Sequence, residues 1–134
     1  MQKFIKNNKI DFCLAVISMA LYAINKNVFF YAIHPQGHND FVDIILKNHF
    51  NDFLAGVLMC SYTHIVLCLA KDKKYAEYFE RFNYLMLFIL GCGVFWEYTP
   101  AFIKNNAVAD ILDIVAYMIG AITYWVIITL KGKR

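Results

Sequence analysis

Four long apolar segments restrict the folds open to this chain more than any other feature of its sequence. They are residues 10–28, 53–70, 82–102 and 109–130, and a helix needs about 20 residues to cross the hydrocarbon core of a bilayer. Whole turns of these segments lack a polar face, which the helices of a soluble domain would have. With 60% hydrophobic and 17% charged residues among 134, the chain is too apolar for a soluble protein of this size. The sequence predicts an all-α polytopic membrane protein, a single domain of four transmembrane helices in a bundle.

Basic residues are concentrated on one side of this predicted bundle. Ten of the thirteen lysines and arginines lie in the N-terminal tail, in the connection between the second and third segments, and at the C-terminus. Cytoplasmic loops carry an excess of positive charge, so both termini are expected to be cytoplasmic. The short basic clusters and the net charge of +3 favour contact with membrane lipids and argue against nucleic-acid binding.

The connection between the first two segments, residues 29–52, is long enough to have structure of its own. After a turn sequence, HPQGHND, three apolar residues (Phe41, Ile44 and Ile45) share one face of a helix whose opposite face is charged. Two alternatives remain open: a short amphipathic helix on the outer leaflet, or a loop that packs its apolar side on the bundle.

Carboxylates gather at the outer end of the predicted bundle. Glu97 lies near the end of the third segment, Asp110 and Asp113 begin the fourth, and Asp52 begins the second. An acidic residue at mid-membrane costs about 2.5–3.5 kcal/mol on insertion scales and less toward the interface. These side chains are therefore expected to face inward, toward water.

The fourth segment carries its polar and small residues on one stripe. The stripe consists of Asp110, Asp113, Tyr117, Gly120 and Tyr124, at spacings of three or four residues, so they share one side of a helix. Such a stripe is suited to contact with other helices, while the aliphatic faces meet lipid. The second segment likewise carries His49, Gly56, Cys60 and His64 near one face.

Helix capping accounts for some of the acids and not for others. The helix dipole and N-capping favour Asp at a helix start, which explains Asp110 and in part Asp52. Asp113 lies one turn further in, and Glu97 lies near a helix end that Pro100 is expected to break or kink. We therefore predict a binding site at the outer end. Its candidate residues are Glu97, Asp110, Asp113, Asp52 and Tyr117.

A cation is the expected partner of this site. Carboxylates a few ångströms apart do not all stay ionised without a compensating charge, so either one is protonated or a cation binds between them. The candidate metal ligands are Glu97, Asp113 and His49, and the candidate cofactor is a divalent cation. Carboxylate oxygens suit Mg²⁺, Ca²⁺ or Mn²⁺, whereas an imidazole shifts the preference toward zinc or iron. His64, near mid-span, is expected to be a buried neutral histidine with one hydrogen bond.

Residues 95–125 carry a pattern that resembles a known family. In WEYTPAFIKNNAVADILDIVAYMIGAITYW, a Glu ends one span, a short external loop follows, and the next span begins with Asp-x-x-Asp and continues to a Gly. Glu97, Asp110, Asp113 and Gly120 stand in the order and spacing of the VanZ-like family of small bacterial multi-pass membrane proteins. The resemblance implies a four-helix protein of the bacterial inner membrane and cell envelope. The family's naming member is associated with glycopeptide resistance, a role that is not carried over to this chain.

The chain departs from the family pattern at three positions. Ala107 stands where the family usually has Arg, Tyr117 where it has Asn, and Tyr124 where it has a second Gly. Without that Arg, an acidic site has to find its counter-charge in Lys104, a histidine or a bound cation.

Three functions fit this pattern. The first is the binding of an envelope component, a cation or a cationic group at the outer leaflet. The second is a metal-dependent membrane enzyme that acts on a lipid-linked or envelope substrate, although HExxH, GxSxG and glycine-rich phosphate loops are absent from the sequence. The third is a small ion-coupled transporter, which would require acids in the inner half of the bundle, and a pore would require an oligomer. Binding is favoured, and the chain is not expected to be an enzyme.

The predicted orientation is tested by Gln36→Cys in a background without the native cysteines. Position 36 lies in the first connection and should react with a membrane-impermeant thiol reagent added outside intact cells, since both termini are cytoplasmic. A cysteine in the C-terminal basic cluster should react only after the membrane is opened. Labelling of position 36 from the cytoplasmic side alone would contradict this orientation.

Overall fold

The computed structural model describes residues 8–27, 49–71, 73–103 and 110–132. Within them the regular structure is entirely helical, as predicted. The helices are α1 (Lys9–Ile24), α2 (Phe50–Leu69), α3 (Lys73–Phe79), α4 (Phe82–Ile103) and α5 (Ile111–Gly132). The predicted amphipathic helix after the HPQGHND turn, together with Lys104 and Ala107, lies outside the described residues.

α4 continues through Pro100 to Ile103, so the expected break at this proline does not occur. A proline removes one backbone N–H and with it one hydrogen bond of the helix, to the carbonyl four residues earlier. The hydroxyl of Thr99 donates to the carbonyl of Phe95 and adds a local side-chain bond in the same turn. One missing bond near a helix end is tolerated, and Glu97 therefore lies within α4 and not at its end.

α2 and α5 make the most extensive helix–helix contact. They run in the same direction, because His49 lies beside Asp113 where both helices begin and Gly56 lies against Tyr117 further along. A Cβ added at Gly56 would lie 2.3 Å from the backbone oxygen of Tyr117, and one added at Gly120 would lie 2.3 Å from the backbone oxygen of Phe53. The two helices therefore approach as closely as their backbones allow. Gly56 and Gly120, which the sequence placed on helix-contact faces of their segments, both lie in this contact.

The remaining long helices pack on the two sides of this pair. α1 packs against α2, α4 packs against α5, and the short α3 contacts both α2 and α4. The centre is filled by fully buried side chains. The five largest among the described residues are Cys60, Ser61, Leu85, Ile89 and Tyr124.

The two ends of the assembly differ in chemistry. α2 and α5 begin at one end, which carries His49, Asp52 and Asp113 and is called the acidic end below. α2 ends and α4 begins at the opposite end, called the basic end, where Lys71 and Arg81 are exposed.

Within the part of the chain that the structure describes, two helices, Phe50–Leu69 and Ile111–Lys131, are long and apolar enough to cross a membrane. Most residues of both are not buried inside the protein, whereas the core helix of a soluble domain would be. Large apolar side chains on the other helices also face outward: Val16 of α1 is 64% exposed and Leu87 of α4 is 68% exposed. An apolar outer surface of this extent suits a hydrocarbon surrounding.

The close contact of α2 and α5 predicts unequal effects of alanine at three glycines. Gly56→Ala and Gly120→Ala should lower the free energy of unfolding by about 1–3 kcal/mol, because the new methyl group meets backbone that has to move. Gly91→Ala is the matched control, since a Cβ there meets nothing within 4 Å and alanine favours the helix by about 1 kcal/mol. Thermal unfolding in detergent measures all three, and equal melting temperatures for Gly56→Ala and Gly91→Ala would contradict the contact.

Candidate functional site at the acidic end

The N-termini of α2 and α5 each carry a carboxylate in the first turn, Asp52 and Asp113. The partial positive charge at a helix N-terminus stabilises an anion placed there. Because the two helices start at the same end and touch through their glycines, their first turns bring the two carboxylates together. This is the local reason that an acidic pair exists at this position.

His49 joins the pair from the residue before α2. Its Nδ1 lies 2.7 Å from Oδ1 of Asp113, and the two side chains are 18% and 22% exposed. An ionised carboxylate only accepts hydrogen bonds, so the N–H group at Nδ1 of His49 is the donor in the hydrogen bond to Asp113. His49 makes no side-chain capping bond to α2, so its contact with Asp113 is a contact between helices.

Tyr117 completes the group from one turn further along α5. Its hydroxyl donates to Oδ1 of Asp52 over 3.0 Å. One ligand atom each of His49, Asp52 and Asp113 lies within 4.8 Å of the others. Of the predicted site residues, Asp52, Asp113, Tyr117 and His49 are therefore brought together.

Glu97 and Asp110 lie beside this group in different roles. Asp110 is exposed, and its Oδ1 accepts the backbone N–H of Leu112 over 2.8 Å, as an N-cap of α5 does. The backbone N–H of Asp110 in turn donates to Oε2 of Glu97 over 3.4 Å. Glu97 is half-buried and links the end of α4 to the start of α5, while its carboxylate stays outside the compact group of three.

A cavity of about 560 Å³ opens next to Asp52. Asp52 and the neighbouring Asn51 supply polar groups to its wall, and α1, α4 and α5 supply aromatic rings. The rings are those of Tyr22, Trp96 and Tyr117. The amide of Asn25 donates to Oδ1 of Asn51 over 2.9 Å and holds the end of α1 beside this wall. The cavity is large enough for a small organic group, and the carboxylate of Asp52 is among its lining side chains.

The basic end of the protein contains an acid, Asp11, that was not predicted from the sequence. Asp11, in the first turn of α1, is 5% exposed and accepts a hydrogen bond of 2.7 Å from the hydroxyl of Tyr124. His64 lies 3.1 Å from Asp11 and 3.2 Å from Glu80. His64 is buried, as predicted, but the sequence did not predict that each of its ring nitrogens lies close to a carboxylate oxygen. The available signal was an Asp inside an apolar segment, the same signal that selected Asp113.

No protein-family model matches this chain, and no curated protein or solved structure matches it either. The function therefore has to follow from the chemistry of the residues at the two ends.

The capping geometry of Asp110 predicts different effects of two substitutions. Asp110→Ala should lower the free energy of unfolding by about 1 kcal/mol, because the N–H of Leu112 loses its acceptor. Asp110→Asn should stay close to the wild type, since Asn caps helices as well as Asp does. Thermal unfolding in detergent makes the comparison, and an equal loss in both variants would show that the charge of Asp110, and not its cap, supports the fold.

Proposed function

We propose that this chain is a VanZ-like integral membrane protein of the bacterial cell envelope that binds a cationic group at its acidic end. The observation that carries the proposal is the position of Asp52. Its carboxylate belongs to the group with His49 and Asp113 and also lines the aromatic cavity. A ligand in the cavity would therefore lie beside the carboxylate of Asp52.

The membrane placement rests on the outward faces of the helices. In this proposal α1, α2, α4 and α5 all cross the bilayer, and both termini lie on the cytoplasmic side, as the basic residues predict. Exposed side chains such as Leu87 and Phe95 of α4 would then meet lipid tails. The acidic end would lie at the outer leaflet, where envelope components are accessible.

The charge of the site favours a positive ligand. Among the described residues, no lysine or arginine forms an ion pair with Asp52, Asp113 or Glu97. A unit charge 4 Å from a carboxylate gains about 4 kcal/mol at an effective dielectric constant of 20, before desolvation is counted. Asp113 already accepts a hydrogen bond from His49, so Asp52 and Glu97 are the carboxylates that most favour a cation.

The aromatic wall favours an organic cation. Rings of Tyr and Trp attract ammonium groups through their π faces, and quaternary ammonium groups are bound in this way by aromatic cages. The ring of Tyr22 already has the ammonium of Lys26 at 5.9 Å from its centroid. An amine or quaternary ammonium headgroup combines the size, charge and apolar surface that this cavity accommodates.

A second candidate is a metal-dependent membrane enzyme, and the compact group of His49, Asp52 and Asp113 favours it. Two carboxylates and an imidazole are suitable ligands for zinc, manganese or iron. The 2.7 Å bond from His49 to Asp113 would have to give way, because the proton on Nδ1 occupies the lone pair that a metal at that nitrogen needs. Metal binding through Nδ1 would therefore require the tautomer with the proton on Nε2, and it would weaken at a pH low enough to protonate both ring nitrogens.

Ligand binding is tested by thermal unfolding of the purified chain in detergent, with choline and its neutral analogue 3,3-dimethylbutanol. Choline should stabilise the protein by about 2.7 kcal/mol at a hundredfold excess over its Kd, and the neutral analogue should not. Asp52→Asn should remove the effect, whereas Asp110→Asn should keep it. Stabilisation by Mn²⁺ or Zn²⁺ and not by choline would favour the metal centre, and stabilisation by neither would contradict the proposal.

The role of the acids in the cell is tested by complementation of a deletion strain under envelope stress. Asp113→Asn and Glu97→Gln should fail to complement while expression and melting temperature stay near those of the wild type, because each removes charge at or beside the site. Asp110→Asn should be milder, since its cap is preserved. If both Asp113→Asn and Glu97→Gln behave like the wild type, the acidic end is a scaffold and not a site.

A further inference from the structure

A second polar group lies inside the basic end and has no part in the proposed cation site. It joins Asp11 of α1, His64 of α2, Tyr124 of α5 and Glu80 of the turn after α3. Three of these residues are at least nine-tenths buried: Asp11 is 5% exposed, His64 8% and Tyr124 0%. Glu80 differs, since its side chain is 55% exposed. The group thus extends from the surface into the interior.

His64 connects the exposed carboxylate to the buried one. Its Nε2 lies 3.2 Å from Oε1 of Glu80, and its Nδ1 lies 3.1 Å from Oδ2 of Asp11. The two ring nitrogens therefore face one carboxylate each. The sulfur of Cys68, which lies 3.8 Å from Nε2, is the other titratable group on α2 at this ring.

The contact between His64 and Asp11 is close but not aligned. Nδ1 is buried, and within the described part of the chain it makes no hydrogen bond, although Oδ2 of Asp11 is within 3.1 Å. The other carboxylate oxygen of Asp11 is held by the hydroxyl of Tyr124. Oδ2 is thus the atom of Asp11 that faces the ring, and a small rotation of the imidazole would bring it into line.

We propose that Glu80, His64 and Asp11 form a proton-transfer chain from the surface of the basic end to a buried proton-binding site at Asp11. The geometry that carries this is one imidazole placed between an exposed and a buried carboxylate, with its unbonded Nδ1 within 3.1 Å of the buried one. Histidine is the side chain suited to this role, because either nitrogen can hold the proton near neutral pH.

One complete sequence of transfers delivers one proton to Asp11 and leaves Glu80 and His64 with the charges they had at the start. A proton from solution binds Oε1 of Glu80 and passes to the lone pair of Nε2 of a His64 that is protonated on Nδ1. The resulting imidazolium releases its Nδ1 proton to Oδ2 of Asp11. Glu80 is again ionised, Asp11 is neutral, and His64 is neutral with its proton on Nε2. The reverse sequence returns the proton to solution and restores the first tautomer.

The proposal does not depend on what binds at the acidic end. The groups that face His64 come from α1, α5, the turn after α3 and α2 itself, and none of them belongs to the group of His49, Asp52 and Asp113. If no cation binds at the acidic end, the proton-transfer chain is unaffected. If no proton transfer is found at the basic end, the cation site is unaffected.

The test is time-resolved infrared spectroscopy of the full chain in lipid nanodiscs after a downward pH jump in metal-free buffer. Protonation of Asp11 should produce a carboxylic-acid C=O band that is lost in Asp11→Asn. Glu80→Gln and His64→Gln should slow the rise of this band on the order of tenfold or more, since proton transfer by a positioned side chain contributes at least that much. Glu77→Gln is the matched control, because Glu77 is an exposed carboxylate of α3, and it should leave the rate unchanged.

Tyr124→Phe identifies the band even if Asp11→Asn does not fold. Removal of the hydroxyl that donates to Asp11 should shift the C=O band to higher frequency, because the carboxyl group loses a hydrogen bond. Two results would overturn the proposal. One is a band with the wild-type rate in both Glu80→Gln and His64→Gln, and the other is the absence of any band that responds to Asp11→Asn or Tyr124→Phe.

Discussion

The approach of α2 to α5 through Gly56 and Gly120 fixes the relative positions of the polar side chains that these two helices carry into the interior. Each glycine lies against a backbone carbonyl of the other helix, so the two helices have little freedom to slide without a clash. This register sets Asp52 opposite Tyr117 at the acidic end. It also places Tyr124 in the interior at the other end, within 2.7 Å of Asp11. A bulkier pair of residues at the crossing would separate the helices and with them both groups.

The parallel direction of these two helices explains why acids are tolerated at one end. Both N-termini lie there, and each contributes a partial positive charge of roughly half an elementary charge. That charge supports Asp52 and Asp113 in a half-buried position, and His49 adds a hydrogen bond to Asp113. The dipoles act only within the first turn. They do not reach Glu97, which lies within α4 and not at a helix N-terminus.

Patterns within single segments could be read from the sequence, because they depend on helix periodicity alone. The stripe on the last segment predicted that Tyr117, Gly120 and Tyr124 would be buried, and they are. The bond partners of the two tyrosine hydroxyls depend on the register between helices, which no single segment contains. The partners of Asp11 could not be predicted for this reason, since they lie on α2 and α5, although its position inside an apolar segment could have been noted. The extension of α4 past Pro100 was missed because the cost of one lost hydrogen bond near a helix end is small.

A layer of apolar side chains separates the two polar groups. His49 and His64 both belong to the α2 region and lie about 22 Å apart along it at 1.5 Å per residue. Between them the interior is closed by Cys60, Ile89 and Ala121, each 0% exposed, and the hydroxyl of Ser61 is bonded to carbonyls of its own helix. A proton or an ion that passed from one end to the other would have to cross this layer, where the buried polar side chains of the described residues, Ser18 and Ser61, are uncharged, at the high cost of an unpaired charge in an apolar interior. The layer therefore favours two separate sites, one that binds at the acidic end and one that exchanges protons at the basic end, over a single path through the protein.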